Sequence, residues 1–98
     1  MTIVMTMDLP VAKNDVEAVS AGMHTHENPP MGLIVHAATE TANGVHVVDV
    51  WESQADYEKF RDEMLMPAME KYLAEHNMTM DAAPQPTLED AFDVVRGR

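Results

Sequence analysis

Ninety-eight residues are the length of one domain, here 1–98, and too few to bury a large core without help from a partner surface. Seventeen acidic against six basic residues leave a net charge of −11, so phosphate backbones and anionic membrane surfaces are repelled and neither nucleic acid nor membrane is expected as a partner. Cysteine is absent, which excludes disulfides, thiolate nucleophiles and cysteine-based zinc sites.

The N-terminus has neither the basic start nor the apolar run of a signal peptide, so a cytoplasmic protein is expected. Residues 2–9 alternate instead: Ile3, Met5, Met7 and Leu9 share one face and Thr2, Val4, Thr6 and Asp8 the other, the period of a half-buried strand. Pro10 ends it. Asn14 or Asp15 is suited to cap a helix carrying Val16, Val19 and Met23, which stops before the loop His24-Thr-His-Glu-Asn-Pro-Pro. Residues 32–40 and 45–51 read as strands joined through Thr41-Ala-Asn-Gly44, a hairpin signal.

Ser53, with Asp56 three residues on, caps a long helix whose apolar stripe is Tyr57, Phe60, Met64, Leu65, Ala68, Met69, Tyr72 and Leu73. Pro67 predicts a kink, or two helices meeting near Met66-Pro67. A loop over 77–86 leads to a last strand over 87–95, and Arg96-Gly97-Arg98 reads as a frayed basic tag. Strand, helix, hairpin, helix, strand is the βαββαβ order of a ferredoxin-like α+β domain, an antiparallel sheet with helices on one face. Its other face, with Val35, Val48 and Val50 among its residues, is left bare and apolar, and a bare face of that kind is expected to pair with a second copy as a homodimer.

The hairpin also places chemistry. With a two-residue loop Ala42 faces Val45 and His36 faces Trp51; with a four-residue loop Glu40 faces Val45 and His36 faces Asp49. Either register puts His36, Asp49 and Trp51 on one side of the sheet. Beside Tyr57, Phe60 and Met64 they make a pocket, in which an Asp-oriented histidine can take a proton from a substrate. The same three residues also fit a satisfied polar pair in a small core. His24 and His26 flank one threonine in a loop and are candidates for substrate contact. With His36 or Asp49 they supply three potential ligands, yet a loop His-x-His is more often solvated, and no metal is assigned. His46 falls on the face opposite Trp51, and His76 ends the second helix.

The run Gly44-Val-His-Val-Val-Asp-Val-Trp-Glu-Ser-Gln-Ala-Asp-Tyr-Glu-Lys-Phe60, with Pro67 beyond it, resembles the dimeric α/β barrel superfamily, in particular its antibiotic-biosynthesis-monooxygenase-like group. The resemblance implies two subunits that pack their sheets into a barrel, each with a pocket between sheet and helices. It implies Trp51 and Tyr57 as pocket residues. The chain departs from the oxygenase pattern at Val47, where that pattern has asparagine, and has Lys71 nearest to an expected arginine. Haem-degrading members carry a helix histidine that is missing from both apolar stripes here. The resulting expectation is a small-molecule enzyme needing no cofactor, a monooxygenase or a proton-transferring isomerase or cyclase on an aromatic or polyketide-like substrate. A non-catalytic module binding a hydrophobic small molecule is the alternative.

Overall fold

The alternation at the N-terminus and around Trp51 builds the centre of the sheet. In a computed structural model that describes residues 1–79 and 85–97, β1 (Ile3–Leu9) pairs antiparallel with β3 (Gly44–Trp51). β2 (Leu33–Thr41) lies outside β3 and β4 (Thr87–Asp90) outside β1, so the strand order is β2-β3-β1-β4. Helix α1 (Lys13–Met23) connects β1 to β2, while α2 (Gln54–Phe60) and α3 (Met66–Glu75) connect β3 to β4. This is the ferredoxin-like α+β arrangement with a wholly antiparallel sheet.

On the helix side Ile3, Met5, Val45, Val47, Trp51 and Tyr57 form the buried core, and Asp49 is buried among them. Along β3 the odd positions are buried and the even ones only half-buried, the burial pattern of a sheet covered on one face. Val48 and Val50 therefore look out on the other side with Val35, which is 50% exposed.

The hairpin settles the register. Thr41 pairs with Gly44 and Glu40 with Val45, so the register expected for the four-residue loop holds, though the turn itself is only Ala42-Asn43, and His36 stands opposite Asp49. Gly44 has φ +148°, and a Cβ there would meet the Leu9 carbonyl oxygen at 2.0 Å, so glycine is required where β1 leaves the sheet.

Several boundaries differ from the expectation. Neither Asn14 nor Asp15 caps α1; Ala12 occupies the cap position without a side-chain bond, and Asp15 lies in the first turn. The predicted Ser53 cap is observed, its Oγ accepting from the Asp56 N–H at 3.1 Å. Between α2 and α3 the chain makes one π-helical turn, Arg61–Leu65, in which the Met66 N–H donates to the Arg61 carbonyl five residues back. Pro67 is the cause: it offers no N–H to the Glu63 carbonyl and its ring crowds that oxygen, so the preceding turn widens.

The last strand stops at Asp90 rather than running to Val95. Ile3 pairs with Asp90, and the pairing with β1 ends after one more bond, from the Ala91 N–H to the Thr2 carbonyl. Phe92 is fully exposed as a result. The basic tail is not wholly loose either, because Arg96 Nη2 donates to Glu52 Oε1 at 2.5 Å. The expected loop over 77–86 lies partly outside the described residues, as does Arg98.

Candidate functional site

The space between sheet and helices is not filled. A cavity of about 460 Å³ lies there, floored by Met5, Val47 and Asp49 and roofed by residues of all three helices. That is the size of an ordinary small-molecule site. Val16, Val19, Met69 and Leu73 belong to the expected apolar stripes, yet they are only half-buried, because the cavity they line takes the place of packed core.

The polar end of the cavity is built by the hairpin. The cross-strand pair brings His36 Nδ1 to 2.5 Å from Asp49 Oδ1, and the other carboxylate oxygen accepts from Trp51 Nε1 at 3.2 Å. Both Asp49 oxygens are thus engaged, which a buried carboxylate requires. The His36 side chain is 43% exposed and that of Asp49 only 6%. The bond to Asp49 raises the His36 pKa above its ordinary 6.5, against the lowering effect of partial burial and with a further coulombic contribution from the carboxylate. With Nδ1 committed to Asp49, Nε2 is left as the free ring nitrogen; among the described residues it has no hydrogen-bond partner. Its position on the cavity wall suits it to accept a proton from a bound molecule.

Trp51 is fully buried and anchors an aromatic cluster. Its ring lies 5.9 Å from Tyr57 in an edge-on contact and 5.3 Å from Phe60 in a tilted one. Tyr57 is 2% exposed, has no hydrogen-bond partner among the described residues, and has its pKa raised by burial.

The structure brings His36, Asp49, Trp51, Tyr57 and Phe60 together and adds His26 at the cavity wall. It does not bring in Met64. The π turn inserts one residue into the helical spacing, so the cavity face runs Tyr57, Phe60, Leu65, Met69, Tyr72 and skips Met64. His24 is also absent from the wall: it is the left-handed C-cap of α1, at φ 56°, and exposed. Among the described residues no three of His, Asp and Glu come close enough together to hold a metal ion, so His24 and His26 do not join His36 or Asp49 as a ligand set. His46 sits on the bare face with Nδ1 2.7 Å from Asp8 Oδ1.

Two further wall residues, Asp15 and Tyr72, have a role the sequence pattern does not indicate. Tyr72 was assigned to the apolar stripe and Asp15 to a cap, but the Tyr72 hydroxyl donates to Asp15 Oδ1 across the gap between α3 and α1. The signal available in the sequence is a tyrosine, with its polar tip, among the aliphatic residues of the second half of the stripe.

No family model and no curated protein matches the sequence. Solved structures do match. A proposed antibiotic biosynthesis monooxygenase from Nitrosomonas europaea superposes with a TM-score of 0.65 at 10% identity, over 93% of this chain and 90% of that one. Another, from Caulobacter crescentus CB15, gives 0.63 at 18% identity, over 94% and 91%. A variant of SnoaB, a cofactor-independent oxygenase from Streptomyces nogalater, gives 0.56 at 14% identity, over 96% and 94%. Identities this low speak for the backbone and leave the chemistry to be argued from side chains. The resemblance seen around Trp51 holds at that level: this chain has the fold of the antibiotic-biosynthesis-monooxygenase-like proteins.

Proposed function

We infer that the protein is a small-molecule enzyme acting on an aromatic or polyketide-like substrate, with His36 as its general base. The observation that carries the reading is the His36–Asp49 pair opening on an apolar cavity. Asp49 holds the imidazole in one tautomer and stabilises the cation formed when Nε2 takes a proton. Trp51, Phe60 and Tyr57 give a planar substrate an aromatic wall, and the free Tyr57 hydroxyl is available to a substrate oxygen.

In the oxygenase form of the reaction, His36 removes a proton from an acidic C–H₂ group flanked by phenol rings. The carbanion gives one electron to dioxygen, and the radical pair combines to a peroxide anion. The proton on His36 returns to that anion, and loss of water leaves a ketone: one substrate and one dioxygen become one ketone and one water. An isomerisation or cyclisation uses the same proton transfer without dioxygen. The resemblance to a cofactor-independent oxygenase in fold favours the first.

Oxygen uptake over a panel of anthrones and dihydroxynaphthalenes tests this, with chelator-treated wild type and His36→Ala compared. We expect uptake by the wild type and a loss of about 10²–10⁴-fold in the variant. Equal rates in both would remove His36 from the reaction.

A second reading is supported by the five methionines on the cavity wall, Met5, Met7, Met23, Met69 and Met78. Their flexible thioethers suit adaptable binding of a hydrophobic molecule without turnover. Tight binding of such a molecule with no product would favour it. In either case we read the bare sheet face, with Val35, Val48 and Val50, as the surface through which two copies pair.

A further inference from the structure

The cavity has a second polar pole. We propose that Asp15 and Tyr72 form a subsite that receives a hydrogen-bond donor, a hydroxyl or an ammonium, on the end of the ligand remote from His36. The proposal rests on the reading of this cavity as a small-molecule site.

Topology puts the two poles at opposite ends. α1 starts just after β1 leaves the sheet at Leu9, beside Val45, and runs back along it, so Asp15 in its first turn belongs to that end. The second helical segment sets out from Trp51 and reaches Tyr72 only near its finish. Asp49 is four residues from Val45 along β3, roughly 13 Å at about 3.3 Å per residue. Allowing one hydrogen bond at each end, that span suits a molecule about two fused rings long.

The chemistry of the pole is one-sided. The Tyr72 hydroxyl is used in donating to Asp15 Oδ1, and Asp15 Oδ2 has no partner among the described residues. What the pair offers a ligand is therefore acceptor atoms only, one of them on a carboxylate. A donor is bound there; an ether or a carbonyl is not, and an anion is repelled. Tyr72 is held in place for the task, its ring stacked on His76 at 4.1 Å and the His76 Nδ1–H donating to the Tyr72 carbonyl at 2.9 Å. An interhelical tether alone would explain the Tyr72–Asp15 bond, but it would not require both residues to line the cavity.

The test is calorimetric titration of the full-length protein with three probes: a naphthalene-diol bearing hydroxyls at opposite ends, its monomethyl ether, and a naphthol with one hydroxyl. Wild type, His36→Ala, Asp15→Asn and Tyr72→Phe are compared, with far-UV circular dichroism as the check on folding. We expect wild type to bind the diol about tenfold more tightly than the ether or the single naphthol, and His36→Ala, with one pole left for one hydroxyl, to bind all three alike. In Asp15→Asn, which keeps an acceptor for Tyr72 but adds a donor, the preference for diol over ether should shrink to about twofold or less. Tyr72→Phe, which loosens the carboxylate, should reduce the same preference.

Wild type binding all three probes equally would overturn the second pole and leave the His36 end intact. An Asp15→Asn variant that weakens every probe by one factor would assign the pair to the tether alone. Binding of none of them would count against the cavity as a site for such molecules, and the inference would fall with it.

Discussion

At His36 two pH-dependences oppose each other. A base works when it has lost its proton, so activity is expected to climb as pH rises through the raised pKa of His36, above 6.5. Folding stability runs the other way. A histidine whose pKa is raised by a partner contributes fully below its unfolded value and loses that contribution as pH rises through the folded one. Asp49→Asn separates the two effects. It removes the cause of the upward shift, so the acid limb of kcat/KM should move to lower pH, and unfolding should become less pH-dependent above pH 6.5. It should also cost about 1–3 kcal/mol, because a buried carboxylate now engaged at both oxygens is replaced by a group with one acceptor. Rate profiles with denaturant melts across that range check both statements. The pairing behind them was readable beforehand as one of two registers, because strand parity put His36, Asp49 and Trp51 on one side whichever held. Asp15 and Tyr72 could not be read in the same way. They lie 57 positions apart in sequence, and no local period links the first turn of one helix to the last turns of another.

At the level of elements, the π turn decides which residues face a ligand. Leu65→Ala should weaken an apolar ligand by roughly tenfold, the effect of a few missing methylenes on a pocket wall, whereas Met64→Ala should leave affinity unchanged; direct titration of a bound naphthol distinguishes them. The proline pointed to a break near residue 67, but where the extra residue would be absorbed depends on how the helix packs against the sheet. Of the expected stripe, Tyr57, Phe60, Leu65, Met69, Tyr72 and Leu73 line the cavity, and Met64 and Ala68 do not. The hairpin has a comparable sensitivity. Gly44→Ala should destabilise the fold by about 2–4 kcal/mol, since the new methyl would collide with the Leu9 carbonyl at a φ that side chains avoid; a thermal or urea melt reads this directly. The last strand is shorter than its pattern, because the alternation continues to Val95 while the pairing with β1 ends at Asp90. A strand's length is a property of two segments, and only one of them carries the pattern.

For the molecule as a whole, the sheet divides two kinds of surface. One face covers the cavity and the other, with Val48 and Val50, carries no helix among the described residues. Val48→Asp or Val50→Asp should yield a protein of monomeric mass by light scattering if that face joins two copies; a dimer that survives both substitutions would locate the contact elsewhere. A last consequence follows from Trp51. It is the one tryptophan in the chain, it is fully buried, and its indole N–H is bound to the carboxylate that also holds His36. Emission excited at the red edge of the absorption band, where Tyr57 and Tyr72 do not absorb, therefore has a single source, one hydrogen bond from the aspartate–histidine pair and in contact with the rings of Tyr57 and Phe60. The colour and intensity of that light should respond to the His36 proton and to any molecule laid against those rings, readable in the unlabelled protein.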